Sequence, residues 1–462
     1  MTPPVIVGAG PAGVRAAQAL VAHGLRPVLI DEAPRAGGQV YRRPPAHFRR
    51  TAAALYGTEA TRATALHAAA DALADHVDHR PDSLVWNAQG GALDVLRGGR
   101  IERVPYQGLV VATGATDRVL PVPGWTLPGA FTLGGAQVAL KFQGCAIGER
   151  VVLMGSGPLL YLVAYQYAKA GARVAAVLDS ARLADQVAAL PLMLTQPSTL
   201  MKGAWYVAWL RAHGVPIVRA ARPLQIVGGE RVEGVRFEHG GHTRTIDCDA
   251  VGMGHALRSE TQLADLLGCH FDFDELQRAH LPQRDAAGRS SVPGLYLAGD
   301  GAGILGADAA EWAGERAALA LLEDRGVAVD ADRARALERR LAGIRPFRRG
   351  LERAFPFPTD WAARADDELV VCRCENISAG QLRATVRETG ADDINRLKAL
   401  SRVGMGRCQG RMCGVAATEL LAHACGRTVR EVGRLRGQAP IKPVPLSALS
   451  ASSALREPEA TA

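Results

Sequence analysis

Four of the eight cysteines fall in two close pairs: Cys372-Arg373-Cys374, and Cys408-Gln409-Gly410-Arg411-Met412-Cys413. Thiols gathered in this way bind something together. Four thiolates can hold a [2Fe–2S] cluster, two sulfurs to each iron. Four can also hold zinc, and the one-residue and four-residue spacers do not decide between them. Near the other end, Val5-Ile-Val-Gly8-Ala-Gly10-Pro11-Ala12-Gly13 has the spacing of a dinucleotide-binding turn. Gly8 makes the tight turn, Gly10 admits a pyrophosphate to the backbone, and Gly13 lets helix and strand pack closely. The phosphates then meet the positive end of the helix. Asp31 closes the next strand and is placed to accept from a ribose hydroxyl, with Glu32 beside it as a competitor.

Those residues need elements to carry them. Residues 4–8 are apolar and lead through the glycine turn into an Ala-rich helix, and 28–30 form the next strand. Strand-like runs at 83–86 and 92–96 precede Ala112-Thr113-Gly114. A second β-α-β unit opens at 151–157 and closes at 174–178. A helical stretch with Trp205, Tyr206 and Trp209 leads to an alternating meander over 215–251. A last strand at 292–300 ends in Gly299-Asp300, and a helix follows from about 309. One nucleotide-binding fold is thus inserted into another: 1–118 with 255–330, and 119–254. The Arg-, Pro- and aromatic-rich stretch 331–365 suits a linker, and its Phe347, Phe355, Phe357 and Trp361 are candidate partner contacts or, equally, packing between the cluster module and the flavin domain. The cysteine module occupies 366–425. Ser378-x-x-Gln381 supplies a capping box, and a helix is expected over 392–403. Residues 426–462 form a tail, extended or disordered at its end.

Ala112-Thr113-Gly114 and Gly299-Asp300 resemble the two later signatures of glutathione-reductase-like flavoproteins. The resemblance turns "dinucleotide" into FAD and implies that Asp300 binds the ribityl chain. It also puts Gly38, Gln39, Thr113, Gly114 and Gly299 beside the cofactor, and implies an α/β architecture of two nested Rossmann-type domains plus a small helical [2Fe–2S] module. The cysteine segment, through Gly404-Met-Gly406-Arg-Cys408, resembles bacterioferritin-associated ferredoxin, which favours cluster over zinc. The flavin half has no Cys-x-x-Cys: Cys145, Cys248 and Cys269 stand alone and read as buried small hydrophobes, and Cys425 as structural. The second fingerprint, Gly155-Ser156-Gly157-Pro158-Leu159-Leu160, has leucine at the third small position, and its strand meets no acid until Asp179. The expectation is a domain kept without nicotinamide function, so NAD(P) is doubtful.

Nearly the whole chain is similar to the flavoprotein subunits of heteromeric bacterial amine and amino-acid dehydrogenases. That family includes the A subunit of opine oxidase, the B subunit of hydrogen cyanide synthase and the alpha subunit of D-hydroxyproline dehydrogenase. The residues that carry this are the first glycine loop, Gly37-Gly38-Gln39-Val40-Tyr41, Gly299-Asp300, the cysteines and Lys442-Pro-Val-Pro. The resemblance implies a D-amino-acid-oxidase-like flavin partner that oxidises substrate, and allows a third, small ferredoxin-like component. This chain would carry electrons away, and no catalytic acid or base is assigned to it. Two alternatives stay open: an NAD(P)H-dependent ferredoxin- or nitrite-type reductase, and a flavin-bearing scaffold.

Composition narrows the field. The chain has 462 residues and a net charge of +8, but the charge is scattered arginine with 5% aromatics, which excludes a nucleic-acid groove. No signal peptide opens the sequence and glycines and charges break the apolar run 151–178, so a cytoplasmic protein is expected, with peripheral membrane contact left open.

Overall fold

The computed structural model describes residues 2–450. The end of the tail, 451–462, where disorder is expected, lies outside the described residues.

Short runs of Val, Leu and Ile, buried on both faces, suit parallel strands covered by helices. Val5–Val7, Val28–Ile30 and Leu109–Val111 are such runs, fully buried. They form a five-stranded parallel sheet with Leu295–Leu297 and Asp78–Arg80 at its edges. The second sheet repeats this order with Arg150–Ser156 at its centre, flanked by Arg173–Asp179 and Ala250–His255, and edged by Ile217–Arg219 and Ala130–Thr132. Each domain also carries a three-stranded antiparallel meander. Ala115–Asp117 leaves the first domain and Leu257–Ser259 returns to it, paired antiparallel.

The stretch 331–365 differs from expectation. It folds as helices Ala331–Gly343, Arg345–Ala354 and Trp361–Arg364. In Arg345–Ala354, Phe347, Gly350, Leu351 and Ala354 recur at helical spacing and pack on helix Leu183–Met193, with arginines on the other side. The linker aromatics are therefore used inside the fold. Phe347 packs with Ala189 and Met193. Trp361 Nε1 donates to the Pro121 carbonyl at 2.8 Å. Phe357 lies between the guanidiniums of Arg118 and Arg278, 5.6 and 5.4 Å from its centroid.

In the cysteine module, strand Val370–Cys372 pairs with Ile377–Ser378, and helices Ala379–Thr389, Ile394–Ser401 and Gly414–Cys425 follow. Ser378 and Gln381 form the capping box. The module's apolar side, including Leu397 and Leu420, shares one core with Trp125 and Phe237 of the second domain. Val429 and Val432 belong to that core too, so packing continues beyond 425. Residues 434–442 then strap the first domain. Arg434 and Arg436 pair with Asp265, the Ile441 amide donates to Trp86 O, and Lys442 pairs with Glu32.

Candidate functional site

The first glycine loop is a bare cradle. A Cβ on Gly8, at φ +106°, would lie 2.3 Å from the Ala112 carbonyl oxygen. Gly38, at φ +64°, faces Gly10, and a Cβ on it would meet the Gly10 Cα at 2.8 Å. Only glycine fits either place. Helix Pro11–Ala22 begins behind this loop with Pro11 at its first turn and no side chain capping its N–H groups. Those free donors and the exposed backbone suit a pyrophosphate. Gly13 is buried against Gly8 and Ile6 of the first strand, and Ala12 against Gly299 and Gly314.

The acidic residues divide their work in a way the spacing does not reveal. Asp31 accepts from the Ala9 and Ala33 amides, the second at 2.7 Å, and so braces the glycine loop. Burial raises its carboxyl above the usual range. Glu32 is exposed and tied to Lys442. Gln39 is exposed and accepts from Arg42 at 2.9 Å. Thr113 Oγ1 donates to the Glu260 carbonyl at 2.7 Å, and Gly114 takes φ +72° beside it. Gly299 turns at φ +70°. Asp300 Oδ1 accepts from Leu305 and Gly306 N–H at 2.8 and 3.0 Å, and Oδ2 has no donor among the described residues. The sequence signals do not include Lys141. It is fully buried on a single π-helical turn, Ala139–Gln143, and donates to Val40 O at 2.9 Å, next to Gly38 and Gln39. Burial pushes its ammonium down to about 7.

The second fingerprint keeps its turn and its strand-end acid, but the acid is covered. Leu160 is fully buried and fills the third small position with core. Asp179, at 0% exposure, accepts from Tyr161 Oη at 2.6 Å and from the Ala181 amide at 2.9 Å. Its place matches that of Asp31, with a tyrosine hydroxyl replacing the loop amide. Burial lifts its carboxyl to about 6.

The four module cysteines converge. Cys372 and Cys413 are buried, Cys408 is half-buried and Cys374 is exposed. Cys413 stands beside Cys372 and Cys408, and Cys374 beside Cys408. The Cys413 contact, helped by the Gly404, Glu375 and Cys374 amides, pulls Cys372 down to about 6. The Cys413 contact, with the Met412 and Gly410 amides, pulls Cys408 down to about 5. Cys413 is raised by its neighbours Cys372 and Cys408 and by burial. Burial raises Cys374. Asn376 and Gln409 take positive φ, 53° and 51°, just after a cysteine in each loop. Non-glycine residues adopt this only under local constraint. As the side chains stand, no group of three or more His, Cys, Asp or Glu among the described residues forms a ready metal shell. The donor set, four sulfurs ringed by backbone N–H groups, nevertheless suits an anionic iron–sulfur centre. Cys145, expected inside, is exposed, while Cys248 and Cys269 are buried.

The cysteine loop docks on the first domain. Glu260, buried, takes two hydrogen bonds from Arg411, at 2.8 and 3.1 Å. Burial alone would raise this carboxyl; the Arg411 charge outweighs that and holds it below the usual range. Elsewhere, Leu183, Val187, Leu190 and Leu194 form an exposed stripe at helical spacing, with 57%, 55%, 39% and 60% of their surfaces open. Exposed Arg345, Arg349 and Arg353 lie on the neighbouring helix, without an ion-pair partner among the described residues. No described helix is long and apolar enough to cross a membrane.

Two nested nucleotide-binding domains with this loop make the frame of a flavin-dependent oxidoreductase. The chain belongs to the pyridine nucleotide-disulphide oxidoreductase family, whose model matches residues 3–323. Residues 369–453 match the sarcosine oxidase A3 domain. The chain is similar to the A subunit of opine oxidase from Rhizobium meliloti, 38% identical over 96% of this chain and 86% of that protein. It is 36% identical to the HcnB subunit of hydrogen cyanide synthase from Pseudomonas aeruginosa, over 96% and 97%. In fold it is similar to L-proline dehydrogenase from P. horikoshii, with a TM-score of 0.70 and 20% identity over 97% of this chain and 79% of that one. Membership of the family supports FAD as the cofactor of the first domain.

Proposed function

We propose that this chain is the electron-transferring flavoprotein subunit of a heteromeric dehydrogenase acting on the C–N bond of an amine or amino acid. It receives electrons from a partner subunit that oxidises the substrate. The observation that carries this reading is the docking of the four-cysteine loop onto the flavin motif through Glu260 and Arg411. The relatives named as subunits of opine oxidase and hydrogen cyanide synthase support it.

In this reading Gly8, Gly10, Pro11, Ala12, Gly13 and Gly38 admit the FAD pyrophosphate. Thr113, Gly114, Gly299 and Gln39 border the cofactor, and Asp300 Oδ2 takes a ribityl hydroxyl. Asp31 braces the loop, while Glu32 stays within reach of the adenosine ribose. Cys372, Cys374, Cys408 and Cys413 hold a [2Fe–2S] cluster. A bound flavin exchanges two electrons and the cluster one at a time, which is what a junction between substrate oxidation and a one-electron carrier needs. The second domain is structural, since Tyr161 covers the acid a ribose would use. The exposed Leu183–Leu194 stripe takes the partner, and the bordering arginines favour an acidic rim on it. The partner is D-amino-acid-oxidase-like, and a cytoplasmic complex follows.

The test is dye reduction with a panel of D-amino acids, imino acids, opines and glycine. The isolated chain should be inactive, and co-expression with an oxidase-like subunit should give substrate-dependent reduction. Activity of the isolated chain would place the substrate pocket here and overturn the reading.

A further inference from the structure

Glu260 follows strand Leu257–Ser259, where the chain re-enters the first domain. Its amide donates to Gly114 O at 2.9 Å, and its carbonyl accepts from Thr113 Oγ1 at 2.7 Å. The backbone of Glu260 is thereby clamped to the Thr113-Gly114 motif. Its carboxylate, 7% exposed, points the other way into the fork of Arg411. Arg411 lies between Cys408 and Cys413, and its Nη1 also donates to Ile441 O at 2.7 Å and to Cys408 O at 3.4 Å. Two lesser contacts join the same loop: Gln262 Nε2 donates to Gln409 O, and Arg258 Nη1 to Gly410 O at 3.4 Å.

A buried ion pair is a weak stabiliser, because desolvating both charges offsets most of their attraction. What the planar fork supplies beyond an apolar contact is fixed distance and angle. We infer that the Glu260–Arg411 pair sets the separation of flavin and cysteine centre and thereby controls the rate of electron passage between them. The inference rests on the cofactors proposed above. In the step concerned, one electron leaves reduced flavin and converts one ferric iron of the cluster to ferrous. The flavin proton goes to solvent. The partner's substrate supplies the electron pair, and an external one-electron acceptor empties the cluster after each step. Glu260 and Arg411 are positioning residues: neither exchanges electrons.

The experiment uses Glu260→Gln, which keeps the backbone clamp, and Arg411→Lys, which keeps the charge without the fork. FAD, iron and sulfide are measured first. A one-electron pulse from photoexcited deazaflavin then follows flavin reoxidation against cluster reduction. Both variants should keep their cofactors and transfer electrons at least about tenfold more slowly, since small misplacements cost large rate factors. The double variant should be no slower than either single one, because both break the same contact. Unchanged transfer with a lowered melting temperature would make the pair merely structural and overturn the inference. Loss of iron from both variants would overturn it too, by making the pair a determinant of cluster assembly. A wild-type chain without iron would instead remove the reading beneath it.

Discussion

Tyr161→Phe removes one hydroxyl from the second domain and tests what Asp179 does there. The hydroxyl donates to Asp179 Oδ2 at 2.6 Å in a site with no solvent access. Without it, the remaining side-chain donor to that oxygen is Gln186 Nε2 at 3.4 Å. A hydrogen bond to a charged group contributes about 1.5–3 kcal/mol, and the variant should lose about that much stability near pH 7. The cost should depend on pH. Burial raises the Asp179 carboxyl from 3.8 to about 6. Between those values the folded chain binds more protons than the unfolded one, so this group's contribution to stability falls as pH climbs through the window and is level outside it. The variant disfavours the ionised form further, which moves the upper limit above 6. The unfolded value is common to both chains and cancels, so the variant's deficit should shrink on acidification from above its own folded value down to about 6 and be level below that. Urea-unfolding midpoints at the two ends of that range, about pH 5 and about pH 8, measure this. A deficit that is absent, or equal at both ends, would refute the buried-acid account. The same account expects NADH and NADPH to leave the flavin mostly oxidised in stopped-flow mixing. Fast, complete bleaching by either would restore a nicotinamide role.

Three further outcomes follow. Gly10→Val should purify poor in FAD, because branched methyls would fill the gap towards Gly38, whose Cα lies 3.5 Å from a Cβ at Gly10; flavin content measures it. Lys141 titrates near 7 against 10.5 unfolded, so wild-type stability rises with pH across that window. Lys141→Met should be more stable than wild type below it, by about 1–3 kcal/mol, with the advantage shrinking as pH rises; unfolding midpoints along a pH series measure it. Leu190→Asp should leave FAD content and melting temperature unchanged while weakening retention of the co-expressed oxidase-like partner on a column.

Local features were legible in the sequence because their physics is local. The strand, glycine turn and helix at 5–22 announce themselves through burial and backbone freedom within a few residues. The capping box at Ser378 and Gln381 is similarly short-range. Long-range partnerships were not legible. Nothing near Glu260 points to Arg411, 151 residues away, and nothing near Asp179 says that Tyr161 will cover it. The helix Arg345–Ala354 read as a linker because five residues, four of them arginines, dilute its apolar face. Its Phe347 read equally as a partner contact or as internal packing, and the stripe from Leu183 to Leu194 was not singled out at all. Periodicity reports an amphipathic face but not which side of it the fold leaves open.

The most direct test of the electron-transfer account is the metal and sulfide content of anaerobically purified protein, with EPR after reduction. The account predicts about two irons and two acid-labile sulfides per chain and an axial or rhombic signal, all lost when Cys372 or Cys413 becomes serine. About one zinc per chain, with no iron and no signal, would contradict it.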